Sequence, residues 1–264
     1  MFLQLKKKKK RKNMEIKTLS TGSNGNCYYI SDGSTNIIIE CGISFKSIIK
    51  NIDLKKIKAC IISHKHSDHA KSLRSMKKFG VDCYMARNTK KALWKNGWEK
   101  LPGRFIIFKN NTVFKVGSFE INTFSLAHSV PNTGFLIRSN ILNQKLLFVT
   151  DTVRVNSWDK KEILVFSNLN YIMLESNYCE KRLKENEAKG VVNKYQAATS
   201  RDSHMEIQTA IKFLKSQDLS FLKEMHMLHL SEKNACPLEF SQRIGEVVKS
   251  NIFYKNKIYK KRGG

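Results

Sequence analysis

The chain has 264 residues, 41% of them hydrophobic and 27% charged, a balance that excludes general disorder and suits a folded domain. Its formal charge of +26, from 48 Lys and Arg against 22 Asp and Glu, favours polyanions such as nucleic acid, although translation of A-rich and T-rich codons also yields a Lys-rich chain. No apolar run approaches the roughly 20 residues of a membrane span, and the six cysteines include no Cys-x-x-Cys pair, so a cytoplasmic protein with reduced thiols and no membrane partner is expected.

Residues 1–13 form a basic, low-complexity tail with no apolar pattern to bury. The run Lys6 to Asn13 before Met14 has the form of a translated A-rich leader, which makes Met14 the expected natural start; a polyanion-binding arm is the alternative. Removing its seven cations lowers the formal charge from +26 only to +19. Residues 14–264 are expected to form one domain with a short basic C-terminal tail.

From Glu15 onward short apolar runs alternate with turn signals, predicting strands at Ile16 to Leu19, Cys27 to Ile30 and Ile37 to Ile39. The turn Gly22 to Asn26 between the first two could be a plain hairpin turn or a phosphate cradle, since glycine admits the φ > 0 conformations such cradles use. A short helix is expected over Ser44 to Ile52, a buried strand over Ala59 to Ser63, and a helix over Ala70 to Phe79, where Leu73, Met76 and Phe79 recur at one-turn spacing. Strands follow at Phe105 to Phe108, Thr112 to Val116, Phe119 to Leu126, Gly134 to Ile137 and Leu146 to Val149. The last third adds a strand at Tyr171 to Leu174, a helix at Ser203 to Leu214, a strand at Glu224 to Leu230 and a helix at Leu238 to Val248. No repeat or Pro-rich linker interrupts this order, so the reading is one α/β domain with strands in two sheets and helices outside.

The segment Ser63-His64-Lys65-His66-Ser67-Asp68-His69 lies between the buried strand and the helix. Two imidazoles two residues apart on an extended stretch can share one ion, while Asp68 and His69, turning into the helix, can face a second. His128 and Asp151 each follow an apolar strand and His229 lies at the end of one, where α/β sheets present ligands. His226 alternates to the face opposite His229 and is expected to be structural.

With these residues in view, the chain from Glu15 to about Val248 resembles the metallo-β-lactamase-fold hydrolases, and within them the YycJ-type exonuclease family. The matching stretches are Leu19 to Cys27, Cys41 to Ser44, the His64 to His69 motif, Ala127-His128, Thr150 to Thr152, Leu174 to Asn177, and His229 to Asn234. The resemblance implies a four-layer αββα sandwich and two divalent ions, Zn²⁺ or Mn²⁺. It implies His64, His66 and His128 on one ion, Asp68, His69 and His229 on the other, and Asp151 bridging them, with Asp68, Glu175 and His204 as the catalytic set. In that set Glu175 orients His204, which protonates the leaving oxygen of a phosphodiester.

The sequence departs from the family pattern at Glu40, where Asp is usual, at Tyr178 and Cys179 in place of His and Asp, and at Ser203 in place of Gly. These departures leave the expected ligands intact, and the cluster, Glu175 with His204 and the basic charge together make a metal-dependent nuclease acting on DNA or RNA the expected function. A small-molecule hydrolase of the same fold, acting on a thioester, lactone, β-lactam or cyclic nucleotide, is the alternative, and a non-catalytic nucleic-acid-binding protein would be expected to have lost ligands.

Overall fold

The computed structural model describes residues 12–94, 98–156 and 162–260; the basic run Lys6 to Arg11 lies outside them. A first sheet contains β1 (Glu15–Ser20), β2 (Cys27–Ser31), β3 (Asn36–Ile39), β4 (Ile57–Ile62), β5 (Cys83–Ala86) and β6 (Phe105–Phe108), paired in chain order. A second contains β7 (Val113–Val116), β8 (Phe119–Leu126), β9 (Asn132–Ser139), β10 (Gln144–Val149), β11 (Tyr171–Glu175), β12 (Glu224–Leu228), β13 (Asn251–Tyr254) and β14 (Lys257–Lys260), also paired in chain order. Both sheets are mixed: β3 to β6 and β10 to β13 run parallel, the outer hairpins antiparallel.

Period-two alternation on strands buried on both faces produces the layers. Ile37, Ile39, Ala59 and Ile61 of the first sheet pack between the sheets against Phe119, Phe135, Phe148 and Met173 of the second. Their neighbours Ile38, Cys60 and Ile62 face outward to α1 (Phe45–Asn51) and α3 (Leu73–Phe79), through Ile48, Leu73 and Met76. On the far side, Leu147, Val149, Ile172 and Leu174 pack against α7 (Ile207–Lys215) and α8 (Pro237–Gly245). The result is the αββα sandwich expected from the sequence. The other α-helices among the described residues are α2 (Ser67–Ala70), α4 (Arg87–Leu93), α5 (Glu180–Ala188) and α6 (Lys194–Ser203).

Two predicted helices are broken. The one expected over Ala70 to Phe79 divides into α2 and α3 because Ser72 turns aside, its N–H donating to Cys41 O (2.9 Å) and its hydroxyl to Ile43 O (2.5 Å). The one expected over Ser203 to Leu214 divides at His204 to Glu206. There Asn177 N–H donates to Met205 O (2.8 Å) and Ile207 N–H to Tyr178 O (2.9 Å), drawing the segment out as an extension of β11. The strand expected to reach Leu230 ends at Leu228, since His229 takes a φ of 52°. All six cysteines are free, and among the described residues no helix is long and apolar enough to cross a membrane.

Candidate metal centre

The site is assembled at one end of the sandwich by the carboxyl ends of strands. His64 follows β4, His128 follows β8, Asp151 follows β10, Glu175 closes β11 and His229 follows β12, while His66, Asp68 and His69 sit on the loop and first turn after β4. The structure thus brings together every site residue singled out in the sequence. Glu40, Asp151 and His229 all take positive φ (61°, 50° and 52°), a strain of order 1–3 kcal/mol each that marks backbone bent to aim a side chain. Asn132 holds the bend at Asp151 by donating its amide to Thr150 O (2.8 Å) and Asp151 O (2.7 Å).

Three overlapping groups could each hold an ion: His64, His66, His128 and Asp151; Asp68, His69, Asp151 and His229; and Asp151, Glu175, His204 and His229, with the donor atoms of each group within 4.8 Å of one another. Asp151 belongs to all three. Its Oδ2 lies 3.3 Å from His69 Nε2, 3.9 Å from His64 Nε2 and 4.0 Å from His128 Nε2, and its Oδ1 lies 3.8 Å from His229 Nε2. Several of these spacings are too long for hydrogen bonds, yet donors around one ion at about 2.1 Å in a tetrahedral shell are about 3.4 Å apart. His64 Nε2 is buried without any hydrogen-bond partner and faces the Asp151 carboxylate at 3.9 Å. An orphaned imidazole nitrogen facing a buried carboxylate is costly unless something cationic lies between them, so the donor set fits divalent ions.

The electrostatics divide the cluster. Burial pushes the His64 and His66 imidazoles down and His128 down to about 4, so these rings are neutral and carry free lone pairs. Burial also opposes the charge on His69 and Asp68, but carboxylates around His69 raise it well above its ordinary value, and His229 with His69 holds Asp68 well below its own. Positive charge is stabilised most where Asp68, Asp151 and Glu40 converge. Glu40, the departure from the usual Asp, is fully buried, accepts the Ser63 N–H (3.2 Å) and lies 3.6 Å from His69 Nδ1.

Glu175 is not the surface carboxylate that a strand end often carries. It is fully buried, accepting His204 Nδ1–H at 2.7 Å and the backbone N–H groups of Thr152 (2.7 Å) and Met205 (3.3 Å). Burial lowers the His204 imidazole, but the Glu175 carboxylate outweighs it and lifts the ring to about 9. The His204 ring stacks on His229 at 5.0 Å. Ser203, where Gly is usual, serves through its backbone, its carbonyl accepting His128 Nδ1–H at 2.9 Å. Tyr178 and Cys179 are absorbed into backbone pairing with Glu206, Ile207 and Asn234. His226 lies apart, bonded to Glu224 at 3.0 Å and stacked on Phe253 at 4.9 Å.

A family model for the metallo-beta-lactamase superfamily matches residues 20–186, which carry the His64 to His69 motif, His128, Asp151 and Glu175. The chain belongs to the metallo-beta-lactamase superfamily. Within the superfamily it is similar to the exodeoxyribonuclease YycJ of Bacillus anthracis, with 27% identity over 176 residues, 62% of this chain and 63% of that one. It is also similar to the exodeoxyribonuclease WalJ of Streptococcus pneumoniae, with 25% identity over 168 residues and 61% of each chain. The chain therefore spans less than two thirds of the length of these curated relatives. Among solved structures, the metallo-beta-lactamase fold protein YhfI of Bacillus subtilis superposes with a TM-score of 0.67 at 15% identity over 96% of this chain and 98% of that one, a likeness of fold.

Sequence reasoning overlooked Asn26. Its side-chain amide lies 3.3 Å from Asp68 Oδ2 and 3.1 Å from His69 Nε2, inside the cluster. The signal was the Gly22 to Asn26 turn, whose Gly22 and Gly25 N–H groups are used within the turn and whose Asn26 N–H donates to Asp68 O (2.7 Å). The turn clamps Asp68.

Proposed function

We propose that the chain is a dinuclear-metal phosphodiesterase of nucleic acid, an exonuclease-type enzyme working in the cytoplasm. The observation that carries this reading is Asp151, a buried carboxylate whose oxygens lie within 4.0 Å of ring nitrogens from both groups of candidate ligands, His64 and His128 of one and His69 and His229 of the other. In this reading His64, His66 and His128 hold one ion, Asp68, His69 and His229 the other, and Asp151 both. Imidazole-rich donors suit Zn²⁺ and the carboxylate-containing set suits Mn²⁺. When bound, such a pair supplies Lewis-acid polarisation of a phosphoryl group and neutralises the charge that develops in an in-line displacement.

The chain's own residues supply the proton. With Nδ1–H donating to Glu175, His204 keeps Nε2–H for the leaving oxygen, and its raised pKa keeps the ring protonated near neutral pH. Asp68, whose side chain is 22% exposed against 3% for Asp151 and 0% for Glu175, orients the attacking water while serving as a ligand. The formal charge of +26 supports a polyanionic substrate, and the relatives' activity supports DNA. Six free cysteines fit a reducing compartment.

The test is metal analysis of the purified protein, followed by incubation with labelled single-stranded and duplex DNA and RNA in the presence of Zn²⁺ or Mn²⁺. Release of mononucleotides from DNA ends is expected. Turnover of a thioester, lactone or cyclic nucleotide with no cleavage of any nucleic acid would replace this reading with the small-molecule one.

A further inference from the structure

Asp68, His69 and His229, the residues assigned above to the second ion alone, are each reached by one hydrogen-bonded chain that rises from the β1–β2 turn and has no bond to His64, His66 or His128; His229 is held in addition by Asn177, whose amide donates to His229 O (2.6 Å) and lies 3.1 Å from its Nδ1. At the centre of the hydrogen-bonded chain is Tyr28, fully buried on β2. The Tyr28 hydroxyl lies 2.8 Å from the Thr21 hydroxyl and donates to Asn26 Oδ1 at 3.0 Å. On one side Thr21 Oγ1 accepts the backbone N–H of His229 at 2.8 Å, at the residue whose φ of 52° turns its ring into the site. On the other side Asn26 reaches Asp68 and His69.

The polarity of the chain fixes the Asn26 amide. Two donors, Tyr28 O–H and Gly22 N–H (3.0 Å), converge on Oδ1, so Nδ2 is the atom turned toward Asp68 Oδ2 (3.3 Å), Asp68 O (3.3 Å) and His69 Nε2 (3.1 Å). The backbone adds a second hold, with Asn26 N–H donating to Asp68 O (2.7 Å) and Gly42 N–H to Asn26 O (2.8 Å). His64 and His128 have supports of their own: Ser63 Oγ lies 2.9 Å from His64 Nδ1, and Ser203 O accepts from His128 Nδ1.

We propose that Thr21, Tyr28 and Asn26 form a positioning relay that sets the geometry of the second ion's ligands alone, so that the two ions of the pair are held by separable supports. The proposal rests on the two-ion reading above. Partners that orient metal ligands are typically worth roughly 10–100-fold in metal affinity. Removing the Tyr28 hydroxyl leaves Asn26 with one donor instead of two and Thr21 with one partner fewer, while the ring keeps its edge contact with Phe148 at 5.3 Å.

The experiment measures stepwise Mn²⁺ binding by calorimetry on the full chain, with the melting temperature of the metal-free protein alongside. Wild type is expected to bind two ions. Tyr28→Phe and Thr21→Val should each weaken one binding step by roughly tenfold or more and leave the other within twofold, with metal-free melting lowered only by the few degrees, about 2–8 °C, that the loss of one or two buried hydrogen bonds entails. Ser63→Ala should weaken the opposite step, and the double variant of Thr21→Val with Tyr28→Phe should fall short of the summed single effects, as members of one chain do. Uniform weakening of both steps, or two intact steps in both relay variants, would overturn the relay while leaving the two-ion reading standing. A wild type that binds fewer than two ions would instead sink the two-ion reading. If Tyr28→Phe does not fold, Thr21→Val decides.

Discussion

Gly42 offers a perturbation whose size is worked from geometry. It sits where the chain leaves β3 and passes beneath the first turn of α2, so close that a Cβ would lie 2.7 Å from His69 N and closer still to the carbonyl group of Asp68. Real Cβ contacts are essentially never under 3.0 Å, and the obstacle here is backbone, which cannot swing aside. In Gly42→Ala the Asp68–His69 backbone has to retreat by more than about 1 Å, and a misplacement of that size near reacting groups costs about 10²-fold in rate. The retreat also strains three bonds that tie this corner together, Asn26 N–H to Asp68 O, Cys41 N–H to His69 O and Gly42 N–H to Asn26 O (2.7, 2.8 and 2.8 Å). At about 1 kcal/mol each, their loss lowers stability by about 2–3 kcal/mol. Turnover of an aryl phosphodiester and urea unfolding measure the two effects. A variant that keeps turnover within tenfold of wild type would refute the claim that this corner sets the ligand geometry.

His204→Ala should lower turnover on poor leaving groups by about 10² to 10⁴ and far less on an activated aryl phosphodiester; equal losses on both would argue against a proton donor. Asp32, buried between the sheets, accepts from the hydroxyls of Ser118 (2.5 Å) and Ser139 (2.7 Å) and from the Thr35 and Ser34 N–H groups. Burial raises its pKa but these bonds outweigh it and hold the carboxyl below its ordinary value. Its contribution to stability is therefore complete above the ordinary range near about pH 4 and is lost as pH falls through the lower folded value. Acid unfolding of Asp32→Asn should lack that dependence, and identical acid profiles would contradict the assignment. Nucleic-acid affinity of the protein lacking residues 1–13 should fall at least about tenfold from low to physiological salt, as it does for a protein whose Lys and Arg neutralise several phosphates; no affinity even at low salt would make the charge a matter of coding bias.

Most of the layer arrangement was legible because continuous apolar runs bounded by turns, such as Ile37 to Ile39 and Leu146 to Val149, read as strands buried on both faces. The convergence of the candidate ligands was legible because polar residues follow those strands directly. What escaped was tertiary. Local periodicity carried a helix through Ser72 and through His204 to Glu206, where backbone groups are captured by Cys41, Asn177 and Tyr178, far away in sequence. Two local signals were available and unused: Asn193 with Gln196 forms a capping box that starts α6, and Glu206 accepts Gln208 N–H at the start of α7. Asn26 escaped because a turn asparagine is ordinary, and only the fold shows Asp68 beneath it.

The most direct test of the central claim is Asp151→Asn, which keeps the shape of the side chain and removes the charge shared by the two groups of ligands. Metal content by elemental analysis and DNA hydrolysis, measured together on the same preparation, should both collapse while the circular dichroism spectrum stays that of wild type. Wild-type hydrolysis with undiminished metal content in Asp151→Asn would contradict the account, because the carboxylate on which both ions are proposed to depend would then hold neither.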